Sequence, residues 1–67
     1  MKLRFLGKVA ECKNDDCPSL YATDRGTFIV QGKVVTDQEA IAGIRGLGAD
    51  ESFVEIPAEL LKLADLA

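Results

Sequence analysis

The sequence predicts a small α+β domain: a mostly antiparallel sheet of three to five strands, one packed helix and a C-terminal helix, in the order β-β-β-(β)-α-β-α. Three observations predict it. Residues 23–42, TDRGTFIVQGKVVTDQEAIA, run through a turn, an apolar strand, a second turn and a helix start with almost no slack. The 67 residues allow one domain, 1–67, and a chain of this size buries only about 60% of its unfolded surface. The composition, 48% hydrophobic and 28% charged with 2 prolines, is that of a folded chain and not a disordered one.

Residues 2–9 read as the first strand, with Leu3, Phe5 and Val9 on one side and Lys2, Arg4 and Lys8 on the other. Leu6 breaks the alternation, and Gly7 suggests a bulge or a close backbone neighbour. Residues 10–19 form a loop of turn formers, among them Asn14, Asp15, Asp16 and Pro18. Residues 20–23 are a short strand, and Asp24-Arg25-Gly26 fits a three-residue hairpin with Gly26 left-handed. Asp24 is expected to cap that turn through backbone N–H groups. Residues 27–30 return as a β-branched strand. Gln31-Gly32 marks a turn or bulge, after which residues 33–35 either pair back or continue the strand.

Thr36-Asp37-Gln38-Glu39 fits a capping box, with Thr36 as cap and Glu39 reaching back to it. The helix it opens should span residues 37–45 and bury Ala40, Ile41, Ile44 and Leu47 against the sheet. Gly43 inside it costs about 1 kcal/mol relative to alanine, and Gly46 and Gly48 end it. Residues 53–56 read as the last strand, and Pro57 opens a helix running through Leu66. In that segment Glu59, Lys62 and Asp65 recur every three residues, and Leu60, Leu61, Leu63 and Leu66 occupy much of the rest. So much apolar perimeter asks for cover on more than one side. Either it closes the core of its own chain or it pairs with a second chain.

The chain has 8 basic and 11 acidic residues, a net charge of −3. Such a chain gains little long-range attraction to phosphate. The basic residues Lys2, Arg4 and Lys8 nevertheless cluster on the first strand, while Glu11, Asp15 and Asp16 make the next loop acidic. Lys2, Arg4 and Lys8 are the candidates for weak nucleic-acid binding. The plainer reading is a charged edge that discourages strand pairing. No apolar run approaches the ~20 residues of a membrane span. Residues 1–9 lack the apolar centre of a signal peptide, so the expectation is a cytoplasmic protein that does not engage a membrane.

Cys12 and Cys17 are the only cysteines, and histidine is absent. A structural zinc needs four ligands, so a metal site at Cys12 and Cys17 would require nearby carboxylates or a second chain. A redox pair would lack the C-x-x-C spacing. A disulfide is feasible across the loop but disfavoured in a reducing cytoplasm. Two loop thiols are therefore expected. Phe5, Phe28 and Phe53 read as core, with Tyr21 undecided. The chain has no histidine, G-x-S-x-G or phosphate-binding glycine loop, and little room for a pocket. No enzyme activity and no cofactor are expected.

The segment SLYATDRGTFIVQG (residues 19–32), with VTD at residues 35–37 and VEIP at residues 54–57, resembles a group of short uncharacterised actinobacterial proteins. The resemblance covers most of the chain after Pro18 and implies no functional residues. It implies an accessory role beside helix-turn-helix transcriptional regulators. The reading that follows is a non-enzymatic protein–protein interaction module, homodimeric through Leu60, Leu61, Leu63 and Leu66. The alternatives are the basic strand on nucleic acid and a cysteine-based metal or redox module.

Overall fold

The computed structural model describes residues 1–10, 12 and 17–67. Among these the chain forms β1 (Leu3–Lys8), β2 (Ser19–Thr23), β3 (Phe28–Gln31), β4 (Lys33–Val34), α1 (Gln38–Gly43), β5 (Val54–Glu55) and a C-terminal 3₁₀ helix (Ala58–Leu66). The α+β class and the element order are those the sequence predicts. The strands divide between two antiparallel sheets, one ordered β1-β2-β3 and the other β4-β5.

The β1–β2 ladder pairs Leu3 with Thr23, Arg4 with Ala22 and Phe5 with Tyr21, then Gly7 with Leu20 and Lys8 with Ser19. Leu6 is the extra residue of a bulge, and the faces exchange across it. Lys8 therefore shares a face with Phe5 and Tyr21, whereas simple alternation placed it with Lys2 and Arg4. Gly7, at φ 155°, also has a close neighbour: a Cβ there would lie 3.0 Å from Leu63 Cδ1. Of the loop expected over residues 10–19, residues 11 and 13–16 lie outside the described residues, and with them the turn formers Asn14, Asp15 and Asp16. Ser19 already belongs to β2. Val9 N–H donates to Pro18 O at 3.3 Å, which closes the mouth of the loop.

The 23–27 hairpin forms with Gly26 at φ 76°. Its stitching differs from expectation. Thr23 Oγ1 accepts from the N–H groups of Arg25 (3.1 Å) and Thr27 (3.3 Å), doing what Asp24 was expected to do. The hydroxyl sits one residue before the turn, so it reaches both amides in an ST-type geometry.

Residues 33–34 neither return to β3 nor extend it. They leave to pair with β5, Lys33 opposite Glu55 and Val34 opposite Val54. Gly32 permits the crossing. A Cβ on it would meet Ile56 Cγ2 at 2.6 Å and Glu55 O at 2.7 Å, so only a glycine lets the two segments approach this closely.

The helices exchange the roles expected of them. In α1 the cap is Asp37, not Thr36: its carboxylate accepts from Ala40 N–H at 2.9 Å. Asp37 stands three residues ahead of that amide, the spacing a cap requires. The helix stops at Gly43, two residues short of expectation, and buries none of its residues. Ile41 is half-buried, whereas Ile44 and Leu47 are 38% and 48% exposed. A turn and a half of helix without a packed face has little to sustain it, and the glycines that follow offer no further helical propensity.

The C-terminal helix covers the three-stranded sheet instead, packing on β1 and β2. It is a 3₁₀ helix, in which residues three apart eclipse. That geometry suits the period-three sequence: Leu60, Leu63 and Leu66 share one row, and Glu59, Lys62 and Asp65 another. Leu60 is 1% exposed, Leu63 half-buried and Leu66 exposed. The row thus runs from the core out past its edge. With Leu60, the buried apolar residues among those described are Cys17, Leu20 and Ala22.

Leu60→Ala is expected to lose about 2–5 kcal/mol, a large part of what a domain this size possesses. Urea denaturation should find it largely unfolded. Gly7→Ala should lose a smaller amount, about 1–2 kcal/mol, and unchanged stability there would show that the helix does not seat on the bulge.

Candidate interaction surface

The cysteines depart furthest from expectation. Cys12 and Cys17 are joined in a disulfide, not left as two thiols. Their Cα atoms are 5.7 Å apart, well within the reach of a bridge. The fold holds the Cys17 end of the bridge. The Cys17 carbonyl accepts from Ser19 Oγ at 3.0 Å and from Gln31 Nε2 at 3.2 Å. Gln31 Oε1 in turn accepts from Tyr21 OH at 3.1 Å. Residues on β2 and β3 therefore clamp the carbonyl of a cysteine that is only 3% exposed. In the bonded state neither sulfur is a thiolate that could ligate a metal. Among the described residues no group of three or more His, Cys, Asp and Glu is placed to hold one.

The basic candidates are split. Arg4 pairs with Ala22 on one face of the sheet, and Lys8 pairs with Ser19 on the other. Lys2 and Arg4 line a shallow cleft of about 180 Å³ with Leu3, Ala22, Thr23 and Asp24. The Asp24 carboxylate in that cleft works against a phosphate.

Of the leucines, Leu60 is consumed by the core and Leu63 lies against Gly7, leaving Leu61 and Leu66 at 62% and 60% exposed. The phenylalanines were read as core, yet Phe5 is 56% and Phe28 48% exposed, with only Phe53 half-buried. The one helix that packs on this sheet lies over β1 and β2, so it cannot enclose side chains on both faces. Phe5 meets Tyr21 across the strands, ring centroids 5.5 Å apart at 59°, on the same face as Leu3 (52% exposed) and Ile29 (39%). On β3, Phe28, Ile29 and Val30 are all exposed. FIV, a run without alternation, reads equally as a doubly buried strand or as an open edge. Nothing in the sequence separates the two.

Both outer strands of the three-stranded sheet carry open edges among the described residues. Thr23 N–H donates to Thr27 O at 2.9 Å, which makes this a hydrogen-bonded position of the β2–β3 ladder. Tyr21–Ile29 and Ser19–Gln31 follow from the register. The N–H and C=O groups of Phe28 and Val30 therefore point away from β2. On the other side Asp24 N–H donates to Lys2 O at 3.2 Å, which turns the peptide groups of Leu3 and Phe5 outward. The β1 edge has a bulge and the charges of Lys2, Arg4 and Lys8, all of which discourage pairing. The β3 edge has none of these devices.

Comparison with protein-family models, curated proteins and solved structures finds no match to this chain. No helix among the described residues is long and apolar enough to cross a membrane.

Thiol titration of the unfolded, unreduced chain is expected to find no free thiol, and two after reduction. Replacing both cysteines with serine should lower stability by about 2 kcal/mol, the loop-closure value for so short a ring. Two titratable thiols before reduction would show the bridge to be unformed.

Proposed function

We propose that this chain is a non-enzymatic protein–protein interaction module, working by presenting apolar surface from a scaffold held together by its disulfide loop and its C-terminal helix. One observation carries the reading: the β1-β2-β3 sheet shows solvent Leu3, Phe5, Phe28, Ile29 and Val30, each at least 39% exposed. Leu3, Phe5 and Ile29 lie on one face with Tyr21, and Phe28 and Val30 on the other; apolar side chains grouped on the surface of a small domain mark a place where another macromolecule binds. The resemblance noted for residues 19–57 supports an accessory role beside a transcriptional regulator, with a second copy of the chain as the nearest partner. A cytoplasmic module would hold its Cys12–Cys17 pair against reducing conditions, so the thiol titration bears on the compartment as well.

Sedimentation velocity and thermal unfolding test the reading together. Raising the protein from about 10 μM to about 1 mM should shift the sedimentation coefficient upward and raise Tm by about 5 °C, as expected when association stabilises the folded form. A monomer with a concentration-independent Tm over that range would overturn self-association as its mode of action.

A further inference from the structure

We infer that the partner surface is the open edge of β3, and that it pairs antiparallel with β3 of a second copy about a twofold axis through Ile29. The inference rests on the interaction reading above and specifies where the contact lies.

The register follows from the peptide groups. Only Phe28 and Val30 aim their N–H and C=O groups outward from β3. An antiparallel neighbour satisfies them fully when Phe28 faces Val30 of the other copy and Val30 faces Phe28. Ile29 then faces Ile29 at a non-hydrogen-bonded position on the axis. This arrangement is isologous, the same patch on both chains, as closed dimers require. It is also consistent in its side chains. Phe28 and Val30 lie on one sheet face, where each meets the other's counterpart, and the two Ile29 side chains meet on the opposite face.

Charge selects this edge over the other. Residues 27–32, TFIVQG, carry no charge, so two β3 strands meet without repulsion. A β1 edge paired with itself in the same way would centre on Arg4 and set the two guanidinium groups against each other. The surface to be covered is modest. Phe28, Ile29 and Val30 are 48%, 39% and 40% exposed. That leaves on the order of 200 Å² of apolar area per chain, well below the roughly 800 Å² per partner of a stable specific interface, so the contact is a weak and transient one. The dimer is therefore reversible on dilution, with four main-chain hydrogen bonds fixing its geometry.

Two variants test it on the full chain. Val30→Pro removes an N–H that points outward, a substitution edge strands tolerate because the internal ladder is untouched. Ile29→Cys places two thiols on the axis, with Cα atoms about 4.5 Å apart and within reach of a disulfide. Phe28→Cys is the control, its symmetry mates offset by two positions and roughly 8 Å apart. The expected result has three parts. V30P keeps the wild-type circular dichroism but needs at least tenfold more protein to dimerise. I29C treated with diamide gives a covalent dimer whose linking peptide joins position 29 to position 29. F28C gives at most a few per cent of that yield. A wild-type dimer that V30P leaves intact, or an I29C protein that does not cross-link at concentrations where wild type is dimeric, would overturn the edge pairing. It would leave the interaction reading standing on another surface. Wild-type protein that stays monomeric overturns the edge pairing and self-association on any surface alike. If V30P loses its circular dichroism, the cross-linking pair decides alone.

Discussion

The seating of Leu60 and Leu63 on the β1–β2 ladder is the contact on which the remaining structure depends. A sheet of three short strands cannot bury a core by itself; it needs a cover. The cover is the C-terminal 3₁₀ helix, and its fit comes from two matched features. Leucines recur every three residues on the helix, and a side-chain-free position at Gly7 on the sheet lets Leu63 approach. The bulge at Leu6 turns that glycine toward the helix while moving Lys8 to the far face. One inserted residue thus opens a seat for the helix and divides the basic cluster of the first strand.

The same economy explains why so much apolar surface remains outside. A short helix shields one part of one face, over β1 and β2. The aromatic pair Phe5–Tyr21 and the whole of β3 have no cover among the described residues. The second sheet, β4-β5, packs close to Gly32 and Ile56 and does not lie over the first. The disulfide and the Tyr21–Gln31–Cys17 hydrogen bonds then hold the strand ends in register. They take over part of what a larger core would otherwise do. A cross-linked strand end and open strand edges are both of use to a small binding scaffold.

The two outer strands also differ in a way that bears on aggregation. An exposed apolar edge is a hazard unless it has a designated neighbour. β1 is guarded by charge and a bulge, whereas β3 is guarded by neither. A chain that protects one edge and leaves the other bare offers strand pairing on one side of its sheet only.

Local chemistry in the sequence determined much of this architecture. The left-handed Gly26, the break at Leu6-Gly7, a helix start near residues 36–39 and the order of the elements were all legible, because each depends on residues within a few positions of one another. The three-residue spacing of Glu59, Lys62 and Asp65 pointed to a polar row and, in hindsight of the geometry, to a helix with three residues per turn. Which helix would cover the sheet was not legible, since Ile41-Ile44 and Leu60-Leu63 are both plausible stripes and only three-dimensional packing chooses between them. Nor was the exposure of Phe28-Ile29-Val30, because an apolar run looks the same whether a neighbouring strand exists or is missing. The joining of Cys12 to Cys17, five residues apart, and the outward turn of the β3 peptide groups likewise depend on how neighbouring segments are set against one another in the fold, and tertiary structure alone decides that.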